Sequence, residues 1–269
     1  MNNKKKLVHD FWEDSSCGEN LYLKSMDKSG YINQAEERYK LEGELIFPLA
    51  NFSQTKDLKV LEIGVGLGAD HQKFAESGAL LSGIDLTNRA VEYTRHRLET
   101  FGLESNLQIG DAEKLNFTNE YFDQVYSWGV IHHTPDTPKA IEEIHRVLKK
   151  SGKATIMIYH KWSMVGLMLW VRYALIGMKP WLSLKKIYSK YLESPGTKAY
   201  SIHEAQILFS KFKRVKISTA LTHGDLLESN VGQKHQGNFL TIAKKLIPRK
   251  LIKYFFPQSG LFMLITATK

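Results

Sequence analysis

Cysteine is nearly absent from this chain of 269 residues, in which Cys17 supplies the single thiol. One cysteine excludes a disulfide framework and a cysteine-rich zinc site, and it agrees with a reducing compartment, so we expect a cytoplasmic protein. A long apolar run is missing from residues 1–14, where basic residues are followed by acidic ones. This stretch is therefore not expected to be a secretory signal.

Two kinds of nucleotide-binding motif are missing as well. None of the twelve tyrosines is followed four positions later by the lysine that a short-chain dehydrogenase needs, and no Walker pattern is present. The sequence also has no specific nucleic-acid-binding motif. Acidic residues are scarce in the last third: residues 1–160 have a net charge of −5, whereas residues 161–269 have +14. We expect this part to meet an anionic partner, which leaves lipid headgroups, nucleic acid and a charged substrate as alternatives.

From residue 58 onward, short apolar runs alternate with patterns that are typical of helices. This rhythm predicts parallel βαβ units and an α/β fold with a doubly wound sheet. A capping-box pattern predicts a later helix over residues 201–212. The expected strands are Leu58–Ile63, Leu80–Asp85, Leu107–Ile109, Phe122–Trp128 and Lys153–His160, with helices over 69–77, 87–100 and 138–149, and then Arg214–Ala220 and Phe262–Thr268 as an antiparallel pair.

The turn after the first expected strand is rich in glycine. Gly64, Gly66 and Gly68 allow a tight turn and the close approach of a ligand at the start of the next helix. Enzymes that bind NAD use the spacing G-x-G-x-x-G, whereas the spacing here is G-x-G-x-G. S-adenosylmethionine has no pyrophosphate and presents an amino-acid head and a sulfonium, for which the preceding acid, Glu62, is better suited.

Two further carboxylates stand at the ends of expected strands. Asp85, 21 residues after Gly64, can accept hydrogen bonds from both hydroxyls of a ribose, and its alternative role is to cap the following helix. Asp111 follows the third strand, where a carboxylate can accept from an adenine amino group while a backbone N–H reaches a ring nitrogen. Acids at three successive strand ends are a more specific signal than any one of them alone.

Five segments resemble, in order, the motifs of class I S-adenosylmethionine-dependent methyltransferases: LEIGVGLGAD, GIDLT, GDAEKLNF, FDQVYSWGVIHHTPD and HRVLKKSGKATIMIYH. The resemblance covers about residues 35–160. It is greatest to the group that contains the ubiquinone/menaquinone C-methyltransferases and bacterial small-molecule methyltransferases. It implies a Rossmann-like sheet of seven strands in the order 3-2-1-4-5-7-6, with the last strand antiparallel, and S-adenosylmethionine as the cofactor.

The resemblance also implies roles for individual residues. The segment before the sheet resembles the N-terminal cap of related enzymes, in which Tyr39 and Arg38 would lie near the methionine carboxylate. A plain surface helix is the alternative for this segment. The expected cofactor contacts are Glu62, Gly64 and Gly66 to the methionine moiety, Asp85 to the ribose, and Asp111 with Ala112 to the adenine, with Gly68, Leu86 and Trp128 in the same motifs.

The loop after the fourth expected strand should face the transferred methyl group, because ligands lie over the carboxyl ends of the strands in such sheets. His132 or His133 in this loop is the expected general base, since imidazole changes its charge near neutral pH. Alternatively, one histidine caps the next helix and the other orients the loop. No metal is expected, because no carboxylate cluster resembles that of the metal-dependent catechol methyltransferases.

Missing motifs also bear on the acceptor. The Asn-Pro-Pro-Tyr motif of DNA-type amino methylation is replaced by SWGV, and Cys17 lies outside the sheet, where it cannot serve pyrimidine C5 methylation. We therefore expect methyl transfer to oxygen, carbon or nitrogen of a small, hydrophobic acceptor. The alternatives are an RNA or protein methyltransferase that docks through its basic C-terminal third, and a binding protein that has kept the fold. Nothing indicates the oligomeric state.

The chain is expected to form one domain, residues 1–269, with an N-terminal cap (1–50), a helical lid insertion (161–200) and a basic-apolar insertion (239–257). Trp162–Met178 is almost wholly apolar and allows two hypotheses. As a lid, it would cover the acceptor with Met164, Leu167, Met168 and Trp170. Lying flat in peripheral contact with an anionic membrane, it would place Trp162, Trp170 and Trp181 at headgroup depth and turn Lys179, Lys185, Lys186 and Lys190 toward lipid.

Overall fold

The computed structural model describes residues 2–228 and 249–269. Within them, seven strands form one sheet, and their order along it is third, second, first, fourth, fifth, seventh, sixth. This order confirms the predicted α/β fold with a Rossmann-like, doubly wound sheet. The strands are β1 Lys59–Ile63, β2 Leu80–Asp85, β3 Asn106–Ile109, β4 Phe122–Trp128, β5 Leu148–Tyr159, β6 Arg214–Ala220 and β7 Phe262–Thr268.

Strand direction determines which edge of the sheet carries the loops. β1 to β5 pair in parallel, and β7 is antiparallel to both of its neighbours, β5 and β6, as predicted. Tyr159 at the end of β5 and Ala220 at the end of β6 both pair with Phe262 at the start of β7. The segments that follow β5 and β6 therefore leave the sheet at one edge, which is also the edge where β1, β2 and β4 end.

Helices cover both faces of the sheet and its carboxyl edge. The apolar side chains of each strand alternate between two clusters, as the two-residue period of a strand requires. Leu61 packs in the cluster that contains Ile144 and Phe209, and Val60 packs in the cluster that contains Ile46 and Phe74. The helices are α1 Asn3–Asp14, α2 Glu19–Tyr22, α3 Lys28–Ala50, α4 Ala69–Glu76, α5 Asn88–Phe101, α6 Thr137–Val147, α7 Met164–Trp170, α8 Leu184–Ile187, α9 Ile202–Leu208 and α10 Arg249–Phe255.

A buried arginine on α5 joins α3, α4 and the glycine-rich turn. Arg97 on α5 is 1% exposed and donates to the side chains of Gln34 on α3 and Gln72 on α4. It also donates to the carbonyls of Tyr31 and Leu67. Four partners satisfy the guanidinium, as a buried charge requires. Because Leu67 lies in the glycine-rich turn, this contact also holds that turn against α3.

Two predicted boundaries differ from the structure. β5 begins at Leu148, five residues before the predicted start, because Leu148 already pairs with Phe122 and a register shift then carries the strand past Lys149–Gly152. The predicted helix over 201–212 ends at Leu208, although Ser201 and Glu204 form the expected capping box. Phe209 and Phe212 beyond it turn into the core, so tertiary packing ends the helix before the sequence pattern does.

The two insertions leave the carboxyl edge of the sheet. Residues 161–199 form the first insertion, and the chain returns to the sheet where Tyr200 pairs with His160. Within it, α7 continues as a π-helical turn over Val171–Leu175, and α8 continues as a second one over Tyr188–Leu192. Of the predicted basic-apolar insertion at 239–257, residues 239–248 lie outside the described part, and 249–255 form α10. Across residues 2–228 and 249–269, no helix is both long and apolar enough for a bilayer span.

Candidate functional site

A continuous cavity of about 430 Å³ lies at the carboxyl edge of the sheet. This volume is within the range of small-molecule sites, roughly 300–1,000 Å³. It is lined by the glycine-rich turn, the residues that follow β2 and β3, α1, the loop after β4, the end of β5 and α7. We call the part around Gly66, Asp85 and Asp111 the cofactor end, and the part around His133 and Glu193 the acceptor end. The cap and the lid thus enclose one space with the strand ends.

The glycine-rich turn has the backbone that only glycine adopts easily. Gly64, Gly66 and Gly68 have φ angles of +84°, +52° and +76°, in the left-handed region that a side chain makes unfavourable. A Cβ on Gly64 would stand 2.2 Å from a methyl of Val130, whereas a Cβ on Gly66 would meet only Ser16 Oγ, at 4.0 Å. The turn at Gly66 is therefore open toward the cavity.

A chain of hydrogen bonds holds Glu62 at the cofactor end. His71 Nδ1 lies 2.9 Å from Glu62 Oε2, and His71 Nε2 lies 2.8 Å from Ser105 Oγ. Burial, and then the negative charge of Asp70, raises the pKa of Glu62 well above its usual value, while burial lowers the pKa of His71 to about 3. The neutral imidazole of His71 thus holds the carboxyl group of Glu62 in place without supplying a positive charge. A cationic ligand would stabilise the ionised form of Glu62.

Asp85 is held for hydrogen bonding at the end of β2. Its Oδ1 accepts from the backbone N–H (3.0 Å) and the hydroxyl (2.8 Å) of Thr87, and its Oδ2 accepts from the N–H of Gly66 at 3.3 Å. Burial raises its pKa. Thr87, rather than Asp85, caps α5, so the structure does not give Asp85 the alternative role of a helix cap.

The expected adenine end is tied to the N-terminal helix. Lys5 Nζ on α1 lies 2.5 Å from Asp111 Oδ2 and 2.6 Å from Glu113 Oε2. Asp111 also accepts from the N–H of Glu113, and Asp111 and Ala112 line the cavity. The cap thus contacts the same carboxylate that the sequence assigns to adenine, a connection that spans 106 positions and has no local signal in the sequence.

Asp70 is the centre of a network that sequence reasoning missed. It lies in the first turn of α4, is buried, and accepts from Arg38 Nη2 (2.7 Å), Tyr39 Oη (3.0 Å) and Tyr126 Oη (2.8 Å). Arg38 lines the cavity, but Tyr39 does not. Tyr39 therefore contacts Asp70 rather than the cavity, in contrast to the direct cofactor contact that the sequence suggested. The sequence feature that could have indicated Asp70 is the position of this acid, two residues after Gly68.

The two histidines of the loop after β4 have different surroundings. His133 lines the cavity, and its Nδ1 lies 2.8 Å from Ser194 Oγ and 3.0 Å from Thr197 Oγ1. His132 is fully buried, and neither of its ring nitrogens has a hydrogen-bond partner. Burial, followed by the charges of His133 and Lys198, lowers its pKa well below the usual value. Of the two candidate bases, only His133 has access to the cavity.

Polar groups lie beside both ring nitrogens of His133. Ser194 Oγ and Thr197 Oγ1 lie beside Nδ1, and the hydroxyl of Thr197 donates to the carbonyl of Ser194 at 2.7 Å. Nε2 lies 3.3 Å from a carboxylate oxygen of Glu193, and the ring of Trp12 on α1 packs edge-on against the imidazole, with 5.4 Å between centroids.

The acceptor end is both acidic and aromatic. Tyr159 Oη donates to Glu193 at 2.6 Å, and Trp128 Nε1 donates to Glu42 at 3.0 Å. Cys17 lines the same cavity and is exposed. No sequence pattern indicates Glu42 or Glu193 as a site residue.

The lid residues differ in part from the prediction. Met168 lines the cavity as expected, but Met164, Leu167 and Trp170 do not, and Leu167 is 51% exposed. Trp170 instead donates its Nε1 to the carbonyl of Leu182, so it belongs to the packing of the lid itself. The lid residues that line the cavity are Val165, Met168, Leu169, Arg172, Leu192 and Glu193.

Among the described residues, one group of side chains has the composition of a metal site. One possible ligand atom each from His132, His133 and Glu193 lies within 4.8 Å of the others. Within this group, His133 Nε2 lies 3.3 Å from a carboxylate oxygen of Glu193.

The structure brings together nearly all of the predicted site residues. Of the expected cofactor contacts, all except Tyr39 line the cavity: Glu62, Gly64, Gly66, Gly68, Asp85, Leu86, Asp111, Ala112 and Trp128. Their contacts with a ligand remain predictions. Further cavity residues, which the sequence did not indicate, include Asp70 beside the glycine-rich turn and, from segments distant in the chain, Lys5, Trp12, Glu42, Tyr159, Glu193 and Phe262.

Comparison with known proteins supports the resemblance. Residues 61–156 match a family model described as a methyltransferase domain. Phosphoethanolamine N-methyltransferase 2 of Caenorhabditis elegans is 36% identical over 104 residues, which are 38% of this chain and 24% of that protein. Phosphatidylethanolamine N-methyltransferase of Cereibacter sphaeroides is 32% identical over 37% of this chain and 49% of the relative. A ubiquinone biosynthesis O-methyltransferase of Coxiella burnetii is 24% identical over 55% and 56%.

The matches thus span between about a quarter and just over half of these curated relatives. Solved structures share the fold over much more of the chain. Geranyl diphosphate C-methyltransferase of Streptomyces coelicolor aligns with 100% of this chain and 98% of its own, at a TM-score of 0.64 and 12% identity. The YcgJ protein of Bacillus subtilis aligns with 85% and 98%, at a TM-score of 0.57 and 19% identity. The predicted resemblance to class I S-adenosylmethionine-dependent methyltransferases is confirmed.

Proposed function

We propose that this protein transfers a methyl group from S-adenosylmethionine to the nitrogen of a small amine bound at the acceptor end of the cavity. One observation carries the proposal: a single cavity joins the glycine-rich turn and the carboxylates at the strand ends to His133 and Glu193. The cofactor supplies a methyl group on a positively charged sulfur. The residues of this chain bind it, orient the acceptor and take up the proton.

The cofactor end suits the charges of S-adenosylmethionine. In our proposal, Asp85 accepts from the ribose hydroxyls, and Asp111 with the N–H of Ala112 meets the adenine. Glu62, Gly64 and Gly66 meet the methionine moiety, whose ammonium would restore the charge of Glu62. The raised pKa values of Glu62 and Asp85 support this assignment, because a buried carboxyl group gains most from a cation or donor that replaces lost water.

The acceptor end provides a base beside the expected methyl position. The amine nitrogen forms a bond to the methyl carbon while the carbon–sulfur bond breaks, and the electron pair stays on sulfur. His133 takes the proton that nitrogen loses, and Glu193, whose carboxylate lies 3.3 Å from Nε2, stabilises the resulting imidazolium. Holding the nitrogen about 3–3.5 Å from the methyl carbon supplies much of the rate, and the base adds about 10²–10⁴-fold.

The charges around the acceptor end favour an amine over a phenol or an enol. Opposite charges 4 Å apart attract by about 4 kcal/mol at an effective dielectric constant of 20, and like charges repel by the same amount. Glu193 lines this end, so its carboxylate stabilises an ammonium and disfavours an oxyanion. Arg38, which also lines the cavity, is already paired with Asp70 and Glu42.

The walls of the acceptor end are mainly aromatic and apolar, with Trp12, Tyr22, Trp128 and Phe262 among them. Aromatic faces attract cations, so a partly methylated ammonium would bind here in preference to a neutral polar group. Arg172 lines the same cavity from the lid, which suits an acceptor that carries an anionic group besides its amine. Two of the relatives above are named as N-methyltransferases of ethanolamine compounds, which supports the same choice.

The experiment is a methyl-transfer assay with pairs of acceptors that differ only in the reacting atom. Each pair contains an amine and the matching alcohol or phenol, and the methyl group of the cofactor carries a heavy isotope. We expect S-adenosylhomocysteine to form with amines and the label to appear on nitrogen. Label on oxygen would contradict the amine assignment alone. Cofactor binding without transfer to any acceptor would contradict the enzymatic proposal. The Glu193→Gln variant should lose the preference for amines.

A further inference from the structure

Large apolar side chains are exposed on the first insertion at the carboxyl edge. Trp162, Ile176, Met178 and Trp181 are 60%, 60%, 80% and 76% exposed. Soluble proteins rarely present large apolar residues in such a group, and exposed patches of this kind mark contacts with membranes or other proteins. Aromatic and methionine side chains this far out of the fold contribute nothing to its core.

The second insertion has a similar surface. On and just after α10, Tyr254, Phe255 and Phe256 are 78%, 62% and 55% exposed, while Ile252 anchors the helix and is 5% exposed. Three consecutive aromatic residues are thus turned outward. We call the exposed residues of 162–190 and 250–256 together the edge surface.

The charge of the edge surface has one sign. Lys179, Lys185, Lys186 and Lys190 are all exposed on the first insertion. Lys250 and Lys253 are exposed on α10, where Lys253 pairs with Glu228 at 3.1 Å. No aspartate or glutamate occurs in residues 162–190 or 249–256. Aromatic side chains interleaved with lysines are the pattern of segments that lie in the interface of an anionic membrane.

The two parts of the edge surface belong to one side of the molecule. Both insertions leave from strand ends that pair with Phe262, and the N–H of Met164 donates to the carbonyl of Ser259 at 2.9 Å. The start of α7 therefore lies next to the turn that follows α10. Arg249 at the start of α10 donates to the carbonyl of Leu226, whose neighbour Leu227 lines the cavity.

The lid separates the edge surface from the cavity by the thickness of one helix. Val165, Met168 and Leu169 line the cavity, whereas Leu167 and Leu175 are 51% and 53% exposed. A protein that rests on this surface would therefore hold its acceptor end close to what lies beneath it.

We propose that the edge surface docks peripherally on a bilayer that contains anionic lipid. Nucleic acid would pair with the lysines but would leave the aliphatic side chains of Ile176 and Met178 in water, and a bilayer interface accommodates both. The lysines then lie among the headgroups, and Trp162, Trp181 and the aromatic residues of α10 enter the boundary with the acyl chains. Docking at this edge turns the acceptor end toward the membrane, a consequence that rests on the proposed function.

The test is co-sedimentation of the full-length protein with vesicles, without cofactor or acceptor. We expect binding to vesicles of phosphatidylcholine with phosphatidylglycerol, weak binding to phosphatidylcholine alone, and release by salt. Changing Lys179, Lys185, Lys186 and Lys190 together to glutamate should lower the partition coefficient at least about a hundredfold. The matched control changes Lys56, Lys150, Lys153 and Lys213, which are exposed at the opposite edge of the sheet, and should retain binding to within about threefold.

A second readout tests the apolar part. Lipids brominated on the acyl chains should quench tryptophan fluorescence, and Trp181→Phe with Trp162→Phe should remove most of this quenching. Unchanged near-ultraviolet circular dichroism in each variant shows that the fold persists. The proposal is overturned if the wild-type protein stays in the supernatant with anionic vesicles at low salt. It is also overturned if both quadruple variants lose binding equally, or if sedimentation velocity shows a dimer that Trp181→Ala dissociates while vesicles do not bind.

Discussion

The two ends of the cavity are built in different ways. Every predicted contact at the cofactor end comes from residues 62–112, with the exceptions of Tyr39 and Trp128, and lies at the end of β1, β2 or β3 or in the turn that follows. The acceptor end instead combines residues from α1, α3, the loop after β4, the end of β5 and the lid. The cofactor end is built from residues close together in the chain, at the ends of parallel strands. The acceptor end depends on how segments distant in the chain pack over the sheet.

The largest expected effect is a loss of catalytic rate that leaves cofactor binding nearly unchanged. His133→Ala should lower kcat by about 10²–10⁴-fold, because the proton loses its acceptor. The dissociation constant for S-adenosylmethionine should stay within about twofold. His203→Ala, an exposed histidine on α9, is the matched control and should change neither value. Equal activity in the His133 and His203 variants would mean that positioning alone drives the transfer.

The second largest expected effect is a loss of affinity for S-adenosylmethionine, caused by changes at the cofactor end alone. Asp85→Ala removes a carboxylate expected to accept two hydrogen bonds, each contributing about 1.5–3 kcal/mol when charge-assisted, so affinity for S-adenosylmethionine should fall roughly a hundredfold or more. Gly66→Val should do the same, since φ is +52° and a side chain would project into the cavity. Calorimetry measures both variants against Glu99→Ala, an exposed acid on α5. Unchanged affinity would remove the cofactor from this turn.

The pH dependence of cofactor binding should be steeper than ordinary carboxyl groups would produce. Burial raises the pKa values of Glu62 and Asp85, so the free protein takes up protons at a higher pH than usual. A cationic ligand favours the ionised forms and therefore releases these protons on binding. Affinity should fall as pH is lowered, by up to about tenfold per pH unit for each protonated group.

Calorimetry in two buffers with different ionisation enthalpies, between about pH 8 and about pH 5, counts the protons released. The Glu62→Gln variant, which keeps the size of the side chain and removes its titration, should bind more weakly at high pH and with a flatter profile. Proton uptake on binding, or an identical profile in this variant, would contradict the assignment of Glu62 to the methionine moiety.

The smallest expected effect concerns the contact between cap and cofactor end. Lys5→Ala breaks the pairs with Asp111 and Glu113, and ion pairs near a surface contribute only about 1 kcal/mol or less. We expect the KM for S-adenosylmethionine to rise about two- to fivefold, with kcat nearly unchanged. Lys6→Ala, whose partner Asp10 lies on the same helix, is the matched control. A lower KM in the Lys5 variant would show that Lys5 competes with adenine for Asp111.

The same contrast explains how much the sequence could predict. The strand positions and the expected cofactor contacts follow from local patterns, because apolar runs, glycine spacing and the acids at strand ends are all visible within a few positions. The strand order is implied by the resemblance to class I methyltransferases. Glu193 and Glu42 have no such signal, since each becomes a site residue only through Tyr159 and Trp128, more than 30 positions away in the chain. The choice between His132 and His133 likewise needed burial, which neighbouring identical residues do not reveal.

Tertiary contacts also explain the positions at which local sequence patterns led to a wrong prediction. The capping box placed the start of α9 correctly, but Phe209 and Phe212 leave the helical pattern to fill the core. In the lid, a nearly continuous apolar run could not show which face meets the cavity, and only Met168 of the four predicted lid contacts lies there. Tyr39 was selected for the cofactor and instead holds Asp70.

The most direct measurement of the central claim follows an isotope-labelled methyl group from S-adenosylmethionine into a cell extract treated with the purified protein. The extract is separated into small molecules, lipids, nucleic acid and protein, with the His133→Ala variant as the blank. The account predicts labelled nitrogen in a small molecule or a lipid, and none above the blank in nucleic acid or protein. Label confined to RNA or protein, or the same label with wild type and variant, would contradict it.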